Sequence, residues 1–416
     1  MGGNISILGH YVAKRWYEEH IIEGKAFFYV MVDHGLLLYK DHENSQFICR
    51  SLKEVLMVVW YKKLAIWNWF SIMQEVKIIK NIFPCEFAEM LGSENNPLLA
   101  MVDVTVGFCT ESSSTINVLE NLNLVIDKGE VFGLVGESGS GKTMTALSIM
   151  KLIPPPGRIL SGKILFQGND LLLLSEKQME SVRGKRIGMI LQEPMTSLNP
   201  VFRVGDQVAE ILSVHTEMKK KELAKKTIEL LKDVGFDDPA QKYIQYPHQL
   251  SGGQRQRILI AMSIACNPAL VIADEPTTAL DVATEGQILC LLQDLVCKYQ
   301  ISMLFITHNL QIIKNIGSRI GIMYAGRIVE ENRVDDFFRE PLHPYSKGLL
   351  ESIVGVRKVS ERLETIPGFV PKLTDLPAGC KFHPRCRYVM TKCKKVEPPF
   401  INVGKSKWIR CYLYQN

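Results

Sequence analysis

The stretch VFGLVGESGSGKTMTALSIM, Val131 to Met150, leaves a chain little freedom in how it folds. A near-continuous apolar run enters a loop of the form G-x-x-x-x-G-K-[ST], Gly136 to Thr143, and a second apolar-periodic run follows at once. That order reads as a buried strand, a glycine loop and a helix. Gly136, Gly139 and Gly141 let the backbone of Glu137, Ser138 and Ser140 wrap closely round an anion. The loop N–H groups point inward, and the helix that follows begins with its positive end at the same anion. Lys142 is placed to reach the β- and γ-phosphates of a nucleotide, and the Thr143 hydroxyl to ligate Mg²⁺. Thr145, on the first turn of that helix, completes the expected binding set.

A phosphate cradle of this kind needs carboxylates for the metal and for water. ALVIADEP supplies them, since its apolar run delivers Asp274 and Glu275 to the C-terminal end of a strand, where open parallel sheets bind their ligands. Asp274 suits Mg²⁺, usually through water, and Glu275 suits orienting or deprotonating an attacking water. LSGGQRQR, Leu250 to Arg257, opens another apolar-periodic helix with a serine and two glycines, a second anion-binding helix start at Ser251, Gly252, Gly253 and Gln254. One nucleotide needs one cradle per chain. A second cradle makes sense if it presses on a nucleotide held by another chain.

Strands such as MVDVTVGF, VFGLVGE and SMLFITH alternate with helical patterns such as KELAKKTIELLKDVG, which implies an α/β domain with a largely parallel sheet. At 416 residues, 46% hydrophobic and 22% charged, the chain has room for two or three domains. Residues 1–97 carry four of the five tryptophans (Trp16, Trp60, Trp67, Trp69) and no recognisable motif, and GSENNP at 92–97 reads as a linker. Trp60, Tyr61, Trp67, Trp69 and Phe70 beside Lys62 and Lys63 fit three readings: an interfacial helix, a small packed domain, or sequence upstream of the natural start. No window of about 18 apolar residues exists, so no membrane span is expected. After about Pro341 periodicity fades into an irregular appendage. From Lys347 to Arg410 there are 14 Lys/Arg against 5 Asp/Glu, within a net charge of +5 for the whole chain. That balance reads either as a solvated basic tail or as contact with an acidic partner or lipid headgroups.

Together the glycine loop, LSGGQ and the Asp274–Glu275 strand make residues from about 100 to 340 resemble the nucleotide-binding subunit of an ATP-binding-cassette (ABC) transporter. The resemblance implies a P-loop ATPase with a RecA-like core, an antiparallel β part and a helical subdomain at about 193–248, within a domain spanning 98–340. TTALD at 277–281 matches the family's D-loop, with Asp281 its acidic residue. Gln192 in LQEPMTSLNP matches the glutamine loop, implied to touch Mg²⁺ and the attacking water. His308 in FITHNL matches the switch histidine, implied to contact the γ-phosphate. Phe108 stands where relatives place an aromatic residue against adenine, although a strand phenylalanine is often only core. Asn309 departs from the Asp common after the switch histidine. QEPMTSLNP, YPHQLSGGQRQR, MYAGRIVE and LHPYSKGLL, with TIPGFVPKLTDLPAGCKFHPRC in the tail, are similar to the ATPase subunits of dipeptide and oligopeptide importers, nickel importers being close relatives.

The tail, residues 341–416, carries Cys380-x5-Cys386-x6-Cys393-x17-Cys411. Residues 1–30 lack the layout of an export signal, which favours a reducing setting and metal ligands over bridges. Some importer ATPases of this kind carry a four-iron, four-sulfur cluster on such cysteines; structural zinc and free thiols are the alternatives. The resemblance further implies ATP and Mg²⁺, a homologous second ATPase subunit (or a second copy), and two membrane permease subunits. It also implies an extracytoplasmic solute-binding protein acting indirectly, no nucleic acid, and a peripheral seat on the cytoplasmic face of the membrane. The rival class is a soluble cassette ATPase of DNA repair or translation. One cassette and no long heptad run argue against it.

Overall fold

The computed structural model describes residues 97–109, 115–192, 197–278, 280–352, 366–404 and 406–415, together with the backbone of four earlier strands. The chain divides into two compact units, Met1–Ile82 and Phe83–Asn416. In the first, β1 (Phe27–Asp33), β2 (Leu36–Asp41), β3 (Phe47–Ile48) and β4 (Glu54–Val59) form an antiparallel sheet in the order β3-β2-β1-β4. Tyr29 pairs with Tyr39 across the first hairpin. The aromatic cluster from Trp60 to Phe70 and the expected linker at 92–96 lie outside the described residues.

In the second unit, β5 (Leu99–Cys109), β6 (Thr115–Ile126), β8 (Gly157–Phe166) and β9 (Asn169–Asp170) build an antiparallel sheet in the order β6-β5-β8-β9. The larger sheet runs β10-β11-β12-β7-β13-β14-β16-β15. Its members are β7 (Val131–Val135), β10 (Ile187–Ile190), β11 (Leu270–Asp274), β12 (Ser302–Thr307), β13 (Arg319–Tyr324), β14 (Arg327–Arg333), β15 (Ile401–Gly404) and β16 (Lys407–Ile409). From β10 to β13 the strands are parallel, and the remainder pair antiparallel.

The parallel strands are apolar on both faces because both faces are covered. On β11, Leu270 and Ile272 enter one core with Phe132, Leu304 and Ile306, while Val271 and Ala273 enter another with Phe305 and Ile258. Leu270, Val271 and Ile272 are fully buried. Each such side chain contributes about 1.5–3 kcal/mol relative to exposure. A charge at Val271 would therefore break the layer. Helix α1 (Lys142–Ile149), which follows the glycine loop, puts Ala146 and Ile149 into the first core, against the antiparallel sheet's Leu119 and Met101.

Beyond β8 comes a short helix, α2 (Glu176–Glu180). Between β10 and β11 lie α3 (Val204–His215), α4 (Lys220–Asp233), α5 (Pro239–Tyr243) and α6 (Gly252–Ile264). Val208 and Leu212 on α3 meet Leu230 and Leu231 on α4 in the core cluster that also holds Ile258 of α6. The remaining helices are α7 (Val282–Tyr299), α8 (Leu310–Ile316), α9 (Val334–Arg339) and α10 (Pro344–Glu351).

The C-terminal region is less irregular than expected. Its β15–β16 hairpin extends the large sheet through Glu330 against Ile409 and Glu331 against Trp408. Phe382 packs into the same core as Tyr324 and Tyr345.

Candidate nucleotide site

The parallel order of β10, β11, β12 and β7 sets the site, because every strand delivers its C-terminal end to one edge. The glycine loop leaves β7, Gln192 stands two residues after β10, Asp274 ends β11 and His308 follows β12. These are short-loop positions on a rigid sheet, so the side chains are held by the fold.

In the loop, Gly139 has φ +79° and Gly141 φ +108°, both left-handed. A side chain at Gly141 would also lie 2.8 Å from Leu119 and from Met323. Lys142 is buried, and its Nζ donates to the carbonyls of Gly136 at 2.9 Å and Glu137 at 3.1 Å. Burial pushes its pKa down, against the pull of Glu275, Asp274 and Glu137. Thr145 Oγ1 donates to Gly141 O at 3.1 Å, so it braces the loop from behind.

Asp274 is buried and bonded to the Thr143 side chain. Burial raises its pKa; the Thr143 bond and Lys142 oppose the rise, and the Glu275 charge adds to it. Ser140 Oγ and Asp274 Oδ1 are buried without a hydrogen-bond partner among the described residues. Unpaired buried oxygens are costly. At this edge they fit a phosphate and a divalent cation, the donor set of Thr143, Asp274 and Gln192 being all oxygen.

Two sequence-predicted residues converge on one atom of a third. Glu275 Oε2 lies 3.4 Å from Gln192 Nε2 and 3.3 Å from His308 Nδ1. Thr278 Oγ1 donates to the same oxygen at 2.9 Å. Glu275 itself sits at φ +47°, a strained setting for a non-glycine residue, while its N–H donates to Ile306 O. Thr278 was not anticipated from the sequence, although its place three residues after Glu275 within the TT pair was a usable signal.

Ser251 caps α6. Its Oγ accepts from Gln254 N and its own N–H donates to Gln254 Oε1, both at 3.3 Å. Ser251 and Gly252 are exposed, so this helix start faces outward. Gly253 is needed for a close approach, as a Cβ there would lie 2.4 Å from Thr284. Thr284 is pinned by Asp281, whose carboxylate accepts from Thr284 N at 2.9 Å and from its hydroxyl at 2.7 Å. Those bonds hold the Asp281 carboxyl below its usual pKa. Asn309 caps α8, its amide oxygen accepting from Gln311 N at 2.9 Å, the bond an aspartate would make. The departure at that position therefore leaves the cap intact. Phe108 is half-buried on β5, and a side chain at Gly157 would collide with its ring.

All four C-terminal cysteines line one small cavity together with His343, Phe382 and Tyr412. They are free thiols. Burial pushes Cys380 up to about 12, Cys411 up to about 11, and raises Cys386. Among the described residues no three of His, Cys, Asp and Glu are grouped so as to hold a metal ion. Two residues of this region that the sequence did not single out touch the phosphate loop. Tyr345 Oη accepts from Glu137 N at 3.1 Å, and Arg385 pairs with the Glu137 carboxylate at 2.9 Å.

Residues 119–278 match the family described as ABC transporter, and residues 329–393 the one described as oligopeptide/dipeptide transporter, C-terminal region. An oligopeptide transport ATP-binding protein of Bacillus subtilis is 47% identical over 318 residues, covering 76% of this chain and 88% of that protein. A dipeptide transport ATP-binding protein of Haemophilus influenzae is 44% identical over 315 residues, 76% of this chain and 95% of that one. Among solved structures, an ATP-binding cassette in a dimeric post-hydrolysis state with ADP and Pi is similar, with a TM-score of 0.51 at 28% identity. That match covers 57% of this chain and 98% of the cassette.

Proposed function

The chain belongs to the ABC transporter family, as an ATP-binding subunit of the oligopeptide and dipeptide type, and we infer that it works as one half of a two-chain ATPase seated on membrane subunits. It hydrolyses ATP to energise peptide import. The observation that carries the mechanism is the convergence of Gln192, His308 and Thr278 on Glu275 Oε2, at the strand edge that also bears the glycine loop.

ATP binds along the Gly136–Thr143 loop, whose N–H groups take the phosphates, and Lys142, still held by the Glu137 carbonyl, turns its other two donors to β- and γ-phosphate oxygens. Thr143, Asp274 and Gln192 would hold Mg²⁺, and the bound ion would supply neutralising charge for the phosphates. Glu275 orients the attacking water and takes its proton, and His308 contacts the γ-phosphate. Phe108 stacks on adenine. The exposed Ser251–Gln254 helix start closes on the triphosphate of a neighbouring chain, with Asp281 beside it. Closure is therefore the ATP-bound state, and hydrolysis releases it.

The neighbour is a homologous ATPase subunit or a second copy of this chain, and the helices between β10 and α6 grip a coupling helix of the two-subunit permease. Exposed Leu191, next to Gln192, and exposed Val201 and Phe202, just before α3, support that contact. A solute-binding protein on the far side selects the peptide. No helix of the described residues is long and apolar enough to cross a membrane. The likeness to transport ATP-binding proteins supports a peripheral seat on the cytoplasmic face.

The four thiols that line one cavity are a soft donor set for an iron–sulfur cluster or zinc. Either would be structural there, tying a proline-rich segment together. Iron and sulfide in anaerobically purified protein support the cluster; stoichiometric zinc, or neither metal, refutes it.

The transport reading is tested by assembling the chain with its membrane partners and measuring which solute raises ATP turnover. Stimulation by di- or oligopeptides is expected. Stimulation by Ni²⁺ alone would overturn the peptide assignment.

A further inference from the structure

Glu137, the residue after the first glycine of the phosphate loop, is held on three sides. Its N–H donates to Tyr345 Oη at 3.1 Å, and its carbonyl accepts from Lys142 Nζ at 3.1 Å. Its carboxylate takes both terminal nitrogens of Arg385, at 2.9 and 3.4 Å. The partners are 248 residues apart in sequence. Arg385 adjoins Cys386 in the thiol-bearing segment, and only 7% of its side chain is exposed. Its Nε donates to Pro367 O at 2.9 Å, and its guanidinium lies over the Tyr324 ring. Tyr324, Tyr345 and Phe382 contact one another with ring centroids 4.8 to 5.4 Å apart. The arginine fork is thus locked before it reaches Glu137.

Lys142 is a point charge on a flexible stem, so its direction depends on what accepts from it. One of its two acceptors is the Glu137 carbonyl. If the Glu137 peptide rotated, the ammonium would lose half of its seat beside the phosphate path. We propose that Arg385 is a positioning residue for ATP binding, acting through the Glu137 carboxylate to fix the peptide that seats Lys142. The C-terminal region thereby sets nucleotide affinity. The region stays docked by other means, since β16 pairs with β14 and Phe382 is buried in the core. Losing Arg385 therefore frees the loop without detaching the tail.

The inference rests on ATP turnover at this loop, and the test separates the two. ATPase kinetics are measured on the full chain assembled with its membrane partners, as native, Arg385→Ala, Arg385→Lys, Glu137→Ala and the Glu137→Ala/Arg385→Ala double variant. Arg385→Ala is expected to raise KM for ATP about tenfold, equivalent to about 1.4 kcal/mol, with kcat changed less than about threefold. Arg385→Lys keeps the charge and loses the fork, so it falls between. In the Glu137→Ala background, Arg385→Ala should add nothing. An unchanged KM, or the same increment in both backgrounds, overturns the proposal. So does a rise in KM that merely follows a drop in the unfolding midpoint. If Arg385→Ala does not fold, the same cycle is run with Arg385→Lys. A native assembly that hydrolyses no ATP refutes the broader reading, whereas native turnover with an indifferent Arg385 refutes this one alone.

Discussion

Glu275→Gln is the most informative single change, because the side chain keeps its shape and loses its charge. In the native chain Oε2 faces Thr278 Oγ1 at 2.9 Å, His308 Nδ1 at 3.3 Å and Gln192 Nε2 at 3.4 Å. A glutamine carbonyl at that place still accepts from Thr278, so the edge of the sheet is not disturbed. Basicity toward water is what disappears. Proton transfer of this kind is worth about 10²–10⁴ in rate. The barrier should therefore rise by about 3–5 kcal/mol, which places kcat about a thousandfold down. Binding should move the other way. The Glu275 charge helps to raise the pKa of Asp274, so its removal eases ionisation of the Mg²⁺-facing carboxylate. The assay is phosphate release alongside retention of labelled ATP by the washed complex. ATP retained and turnover lost is the expected pair. A kcat within about threefold of native, at normal ATP binding, would refute the role of Glu275.

Gly141→Ala puts a Cβ at φ +108° and 2.8 Å from Leu119 and Met323. Strain and overpacking together predict a loss of about 2–5 kcal/mol in a urea titration, and a loss under 1 kcal/mol would contradict the packing argument. Gly253→Ala drives a Cβ to 2.4 Å from Thr284, which Asp281 prevents from yielding. ATP binding to the glycine loop should survive while turnover falls at least about tenfold. Full turnover would remove the SGG helix start from the account. Glu130, just before β7, shares Arg319 with Glu331 and Asp127, three carboxylates to one guanidinium. Burial pushes it up to about 7, with Arg319 opposing. Because its folded pKa exceeds the unfolded value, its contribution to stability is full below about pH 4.5 and is lost as pH rises through about 7. Glu130→Gln should therefore flatten the fall in unfolding free energy between pH 5 and 8. An unchanged slope would contradict the assignment.

What could be read from the sequence was whatever chemistry ties to short spacing. Gly136–Thr143 and Asp274–Glu275 announce themselves because phosphate wrapping and metal ligation demand particular residues at fixed offsets after an apolar strand. Their juxtaposition with Gln192 and His308 was reachable only through the family resemblance, since no local pattern says that β10, β11, β12 and β7 lie side by side in that order. The grip of Arg385 on Glu137 left no trace, because an ion pair between distant positions has no periodicity. Nor did the β15–β16 hairpin, whose strands of four and three residues are too short to show alternation. The first-unit hairpin was legible and missed: FFYVMVD, then His34 and Gly35, then LLLYKD is an apolar run, a turn and another run.

Turnover by this mechanism needs a nucleotide shared between two chains, and mass in solution tests that directly. The Glu275→Gln chain is measured by sedimentation, alone and mixed with its homologous partner subunit, with ATP and Mg²⁺ or with ADP. A two-chain species that forms with ATP and separates with ADP is the predicted result. Single chains at every nucleotide concentration in both samples, with ATP bound, would contradict it.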